Sequence, residues 1–252
     1  MRRELVFPSL LSKMLDFNRF EVLTFDCYGT LINWEEGILR CMRRILAAHG
    51  KDKDDNDDAT ILQFYGDFEA RAEQGTYRCY REVLHSVVSE FGKQFAFAPT
   101  EQETRSLPDS LRDWRPWPDT VSALRELQRR FRLAVISNVD DDLFAATQPQ
   151  LGVKFDQIVT AQQAGAYKPS LKIFELALSR IGVPAERILH VGQSIYHDII
   201  PAQSLGLSTV WVNRPSPRSG VGAVKAAEGK PELEITSLAQ LVSASHAAIS
   251  RN

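Results

Sequence analysis

Apolar and polar positions along the chain fall into two regimes. From about Arg112 onward, short aliphatic and β-branched runs alternate with segments of helical period. RLAVISN (Arg132 to Asn138), FDQIVTA (Phe155 to Ala161), RILHVGQS (Arg187 to Ser194) and STVWVN (Ser208 to Asn213) read as buried strands. DDLFAATQPQLG carries acidic residues in its first turn, and PSLKIFELALSRIG is closed by Gly182 after an arginine; both read as helices. A last short strand, LEIT, leads into the helix SLAQLVSAS, and an earlier strand is the start of VLTFDCYGTLI (Val22 to Ile32). Strands alternating with helices imply βαβ units. The fold class is therefore α/β, a Rossmann-like doubly wound parallel sheet with helices on both faces.

Residues 33–111 differ. EEGILRCMRRILAAHG, ATILQFYGDFEARAEQG, YRCYREVLHSVVSEFG and PTEQETRSLPDSLRDW all have helical period. The expected division is a core of residues 20–32 plus 112–252, a helical cap of 33–111, and an N-terminal extension of 1–19. An insert leaving the end of the first strand lies over the carboxyl ends of the strands, where such sheets bind ligands. The charged KDKDDNDD (Lys51 to Asp58) reads as a solvated loop whose last aspartates cap the next helix.

Composition narrows the function classes. The 252 residues carry 30 Lys+Arg against 32 Asp+Glu, a formal charge of -2, which supplies no field for nucleic acid. Three cysteines with no Cys-x-x-Cys pair suggest neither a disulfide framework nor a zinc site, and point to the reducing cytoplasm. In MRRELVFPSLLSKMLDF the apolar stretch is broken by Glu4, Pro8 and Lys13, and no run reaches the roughly 18 residues that span a bilayer. No membrane partner is expected.

Polar groups recur where the chain leaves each strand. Asp26 ends the first and Ser137-Asn138 the second; Tyr167-Lys168-Pro169 follows the third and GQSIYHD (Gly192 to Asp198) the fourth. Singly each is a helix cap or a loop breaker; in order, at four strand ends, they converge on one crevice. FDCYGTL, ISN, YKP and HVGQSIYHD resemble the motifs of the haloacid dehalogenase superfamily, and the insert resembles its small α-helical cap. The resemblance implies Asp26 as nucleophile, Thr30 as the hydroxyl that holds it, Ser137 as the substrate-binding hydroxyl, Lys168 as the neutralising ammonium and Asp198 as the last acid. A carboxylate nucleophile forms a covalent ester and splits one hard displacement into attack and hydrolysis.

Two departures decide between chemistries. Phosphoryl transfer to water needs a proton for the leaving alkoxide and a cation to offset phosphate charge. Superfamily phosphatases supply the first with an aspartate where this chain has Tyr28, and hold Mg²⁺ with an acid where it has Gln193. A halide leaves carbon without a proton. The pattern therefore resembles the 2-haloacid dehalogenase branch, which works without a metal cofactor; Mg²⁺ is expected only if the chain is instead a phosphatase. WPDT, AQQAGAYKP and LHVGQSIYHDIIPA look closer to a subgroup that includes an azetidine-2-carboxylate hydrolase, whose protonated ring nitrogen leaves as an amine. The branch's halide-receiving cap arginine has no clear counterpart among Arg71 and Arg78, and its tyrosine six positions after the lysine is Phe174 here.

The expected activity is a hydrolase that displaces halide or strained amine from a small 2-substituted carboxylic acid, with a non-catalytic binding module as the non-enzymatic alternative. Asn138, Cys27 (through its backbone N–H), Tyr28 and Ser194 join Ser137 in binding substrate. His197 is a candidate for assisting water, Gln193 and Trp34 for lining the pocket, Glu69 (or Glu73) for pairing with an ammonium, and Tyr77 and Tyr80 for an apolar wall under the cap. A small carboxylic acid is the expected partner, and a homodimer is compatible with the sequence.

Overall fold

The computed structural model describes residues 15–52, 57–216, 223 and 226–247. Six parallel strands form one sheet in the order β3-β2-β1-β4-β5-β6. They are β1 (Val22–Phe25), β2 (Arg132–Ser137), β3 (Gln157–Thr160), β4 (Ile188–Gly192), β5 (Ser208–Val212) and β6 (Leu233–Ile235). The central strands β1 and β4 are buried throughout, as continuous apolar runs covered on both faces must be. β1 pairs with β2 on one side and β4 on the other, so its end is the switch point of the doubly wound sheet. Asp26 is the next residue, and its N–H donates to Val191 O at 3.0 Å.

Four helices follow β1: α1 (Trp34–Ala48), α2 (Asp58–Ala72), α3 (Tyr80–Gln94) and α4 (Glu101–Ser110). They close on a shared apolar interior that includes Ile38, Met42, Leu62, Leu84, Val88 and Phe91. Their starts carry side-chain caps: Asp57 Oδ1 accepts from Thr60 N–H at 2.8 Å, and Thr100 and Glu103 form a reciprocal box. The chain leaves and re-enters the sheet layer through adjacent backbone, with Asn33 N–H bonded to Arg115 O at 2.9 Å and Trp117 N–H to Leu31 O at 3.1 Å.

The remaining helices are α5 (Thr120–Leu127), α6 (Asp141–Thr147), α7 (Ala161–Ala164), α8 (Leu171–Ile181), α9 (Ile200–Ser204) and α10 (Leu238–Ala247). α5 packs against α10, and α8 against β2 and β3. Three local features differ from the sequence expectation. α3 begins at Tyr80 rather than Tyr77, because an aspartate from the core caps it there. β4 stops at Gly192, where the chain turns, short of the expected Ser194, and Ile195–Ile199 forms one π-helical turn. Of the expected extension, residues 1–14 lie outside the described residues; its end is a 3₁₀ turn, Phe17–Arg19, with Phe17 buried. Among the described residues no helix is long and apolar enough to cross a membrane.

Candidate active site

Asp26 leaves β1 into a tight loop. Leu31 and Ile32 N–H groups both donate to Cys27 O, at 2.8 and 3.0 Å, which curls the chain and returns Thr30 beneath the Asp26 carboxylate. The curl requires Gly29. Its φ is +99°, and a Cβ there would stand 2.0 Å from Gln193 Oε1. Thr30 Oγ1 donates to Asp26 Oδ2 at 2.7 Å and accepts from Gln193 N–H at 2.8 Å, so one hydroxyl ties the β1 and β4 loops together. Arg214, buried and paired with Asp119 at 2.8 Å, donates to Thr30 O at 2.9 Å and braces the same loop from outside. Asp119 lies in the WPDT run, yet nothing in that run signals this task.

Lys168 is the centre of the site. Its ammonium is 2% exposed and donates to Asp26 Oδ1 at 2.8 Å, Asp198 Oδ1 at 2.7 Å and Ile136 O at 3.1 Å, which uses all three hydrogens. Asn138 fixes the lysine backbone from both sides: its Oδ1 accepts from Lys168 N–H at 2.7 Å and its Nδ2 donates to Lys168 O at 3.2 Å. Asp198 is held further by Ser194 N–H at 3.1 Å and by His190 Nε2 at 3.5 Å, with His190 Nδ1 bonded to Thr24 Oγ1 at 2.9 Å. Gly192 leaves room for it, since a Cβ there would lie 2.5 Å from Asp198 Cβ.

The two carboxylates differ because they share one lysine. Burial opposes the charge on Asp198, but Lys168 and His190 outweigh it and hold that carboxyl well below the usual range. For Asp26, burial is the larger influence, Asp198 adds repulsion, and its carboxyl rises above the usual range despite Lys168. Between its two partners the ammonium itself is held above the ordinary lysine range, although burial works against it. Asp198 thus carries the fixed charge and Asp26 is the more basic carboxylate.

A cleft opens over Asp26, enclosing about 580 Å³ with its mouth included. It is lined from the core by Tyr28, Ser137, Asn138, Lys168, Gln193, Ser194, His197 and Asp198, and from the cap side by Trp34, Glu69, Glu73 and Tyr80. Among the described residues, two lining groups are buried without a hydrogen-bond partner, Ser137 Oγ and Trp34 Nε1. Buried polar atoms are rarely left so, and these two are available to a ligand. Tyr28 is tied down: its hydroxyl meets Thr147 Oγ1 at 2.8 Å, and burial pushes the phenol well above its usual range. Ser194 Oγ accepts from His197 N–H at 3.0 Å, so it caps the π turn as well as facing the cleft.

One expected residue sits elsewhere. Tyr77 is not among the cleft-lining residues; its ring packs on Tyr167 with centroids 5.2 Å apart. The Cys27 side chain is buried in the apolar core, and burial pushes its thiol well above the usual range. The sequence expectation also lacked the latch between core and cap. Asp140, after β2, accepts from the Tyr80 and Arg81 N–H groups at 2.8 and 2.9 Å, capping α3 from across the cleft. Tyr167 OH adds a bond to Arg78 O at 2.8 Å. Removing the latch with Asp140→Ala leaves two helix-end donors unpaired, so a loss of about 1–2 kcal/mol is expected. A thermal melt should show Tm lower by about 2–8 °C, with KM raised as the cap loosens.

A family model of haloacid dehalogenase-like hydrolases matches residues 20–206. The chain belongs to the haloacid dehalogenase-like hydrolases. Haloacetate dehalogenase H-2 of Moraxella sp. (strain B) is 27% identical over 202 residues, covering 78% of this chain and 87% of the relative. An (S)-2-haloacid dehalogenase of Pseudomonas sp. (strain YL) is 27% identical over 234 residues, covering 87% and 92%. Glyceraldehyde 3-phosphate phosphatase of Methanothermobacter thermautotrophicus is 39% identical, but over 102 residues, 39% of this chain and 45% of its own. Among solved structures, the L-2-haloacid dehalogenase from Xanthobacter autotrophicus with chloropropionic acid covalently bound superposes with TM-score 0.73 at 20% identity, covering 89% of this chain and 97% of that one. At that identity the likeness carries the fold.

Proposed function

We propose that this haloacid dehalogenase-like hydrolase displaces a leaving group from carbon in a small 2-substituted carboxylic acid, with Asp26 as nucleophile. The observation that carries the reading is the pair formed by Asp26 and Tyr28. Asp26 is a buried, relatively basic carboxylate with a fixed ammonium beside it, and the side chain two residues on is a phenol bonded to Thr147 instead of a free carboxylic acid. The core thus presents a nucleophile and no general acid, which suits a leaving group that departs without a proton. Ser137 Oγ and Trp34 Nε1, the unpartnered cleft donors, receive the substrate carboxylate. One Asp26 oxygen attacks carbon and becomes the ester oxygen. Water then attacks the Asp26 carboxyl carbon, and the oxyanion forms beside Lys168 Nζ and Thr30 Oγ1. Its collapse breaks the ester bond, so the product hydroxyl keeps one proton of that water, the other passes to solvent and the Asp26 carboxylate is restored. Asp198, its oxygens engaged and its basicity low, holds Lys168 in place rather than taking the proton from water.

The donor set suits Mg²⁺ poorly. Both Asp26 oxygens are bonded to Thr30 and Lys168, both Asp198 oxygens are engaged, and Gln193 offers a neutral amide. Among the described residues no three acidic, His or Cys side chains cluster as ligands.

A strained amine is the second reading of the leaving group. Where a halide receiver needs positive charge, the cap presents Glu69 and Glu73, which suit an ammonium. The deciving assay is chloride release from both enantiomers of 2-chloropropionate in EDTA, run beside ring opening of azetidine-2-carboxylate. Chloride release supports the first reading and ring opening alone the second. Turnover of neither, with hydrolysis of a phosphate ester in Mg²⁺, would contradict both.

A further inference from the structure

Halide displacement leaves two cap carboxylates without a task. Glu69 lies in the last turn of α2 and Glu73 is its C-cap, one helical turn later, and both line the cleft over Asp26 and Lys168. Their surroundings are unequal. Glu69 Oε1 accepts hydroxyl bonds from Tyr65 at 2.9 Å and Tyr80 at 2.5 Å, whereas the Glu73 carboxylate has no hydrogen-bond or ion-pair partner among the described residues. Two like charges in one poorly hydrated space do not both ionise, and the proton settles on the carboxylate with fewer donors. Burial, and then the Glu69 charge, push the Glu73 carboxyl well above the usual range. Glu73 is therefore the cleft carboxyl on which a proton is best kept, and it lines the cleft from the cap, in the capacity that Tyr28 does not fill from the core.

We propose that Glu73 is a catalytic acid and that the enzyme also hydrolyses small carboxylates bearing a strained cyclic ether. The inference rests on Asp26 acting as the nucleophile. Asp26 attacks a ring carbon, the C–O bond breaks, and the departing alkoxide takes the Glu73 proton. The products are an aspartyl ester with a free hydroxyl and an ionised Glu73. Water then attacks the Asp26 carboxyl carbon, the diol carboxylate leaves, Asp26 is regenerated and the proton given up by water returns to Glu73. One substrate and one water give one diol; no oxidant or metal enters. Halide needs no such proton, so the ratio of ether opening to chloride release reports on Glu73.

The test compares oxirane-2-carboxylate with 2-chloropropionate on the full-length enzyme, following diol and chloride together. In the wild type the ratio should fall as pH rises, because the acid form of Glu73 is lost, and this profile needs no variant. In Glu73→Gln the ratio should drop about 10²–10⁴-fold, the usual worth of a positioned acid, and lose that pH dependence. Glu73→Asp should restore part of it. A wild type that releases chloride but opens no oxirane overturns the inference and leaves the Asp26 reading intact. So does an unchanged ratio in Glu73→Gln. Failure on both substrates overturns it, and failure on azetidine-2-carboxylate as well overturns the chemistry assigned to Asp26.

Discussion

Asp26→Asn is expected to lower kcat/KM by about 10⁴-fold or more while the protein melts near the wild-type temperature. The amide keeps the shape of the side chain and its bond with Thr30 Oγ1, 2.7 Å away in the wild type. It removes the oxygen nucleophile and, with it, the covalent ester. Stability changes little because two effects oppose. The Lys168 pair at 2.8 Å is lost, and so is the repulsion between Asp26 and Asp198 that burial sharpens. Lys168 keeps its contact with Asp198 at 2.7 Å and its bond to Ile136 O. In the wild type, kcat/KM should fall on acidification through the Asp26 pKa, which lies above the usual carboxylate range, since only the ionised form attacks. Circular dichroism melts beside turnover assays separate loss of chemistry from loss of fold.

Lys168→Met should fail in the opposite way, losing both activity and stability. It leaves Asp26 and Asp198 facing each other in a buried site, with no cation between them. Breaking a buried pair by removing one partner costs about 3–5 kcal/mol, so Tm should fall by about 6–20 °C for a chain of this size. The pH dependence has a definite sign. In the wild type the folded Asp198 pKa is depressed, so its contribution is present above the unfolded value near 3.9 and is lost as pH falls through the folded pKa. In the variant the same carboxyl loses its cation and is raised by burial, so protonation relieves it. The gap in Tm between the two proteins should narrow on acidification. A gap that widens would mean that Asp198 does not depend on Lys168 for its charge.

The strands and the chemistry-bearing strand ends were legible because each rests on local pattern. VLTF, RLAVIS and ILHVG are apolar runs of strand length, and the residues that follow them, Asp26, Asn138 and Gln193, necessarily share one edge of a parallel sheet. Asp57 capping α2 was equally local. Contacts across the cleft were not. Asp140 is one of three consecutive aspartates before and within α6, and nothing nearby in sequence says that its carboxylate caps a helix sixty residues earlier in the chain. Tyr77 and Tyr80 are one helical turn apart in sequence, yet α3 begins only at Tyr80, which sends Tyr80 to Glu69 and Tyr77 to Tyr167. Arg214 is a single arginine beyond β5, and only the fold brings it to Asp119 and the Thr30 carbonyl.

The central claim is a covalent ester on Asp26, and a single turnover in ¹⁸O-labelled water tests it most directly. Enzyme in excess is mixed with 2-chloropropionate or azetidine-2-carboxylate, and the peptide containing Asp26 and the product are weighed by mass spectrometry. The account predicts label in the Asp26 carboxylate and an unlabelled first-turnover product, because the product oxygen comes from Asp26 itself. Label in the first product with none in Asp26 would mean that water attacks the substrate directly, and would contradict the account.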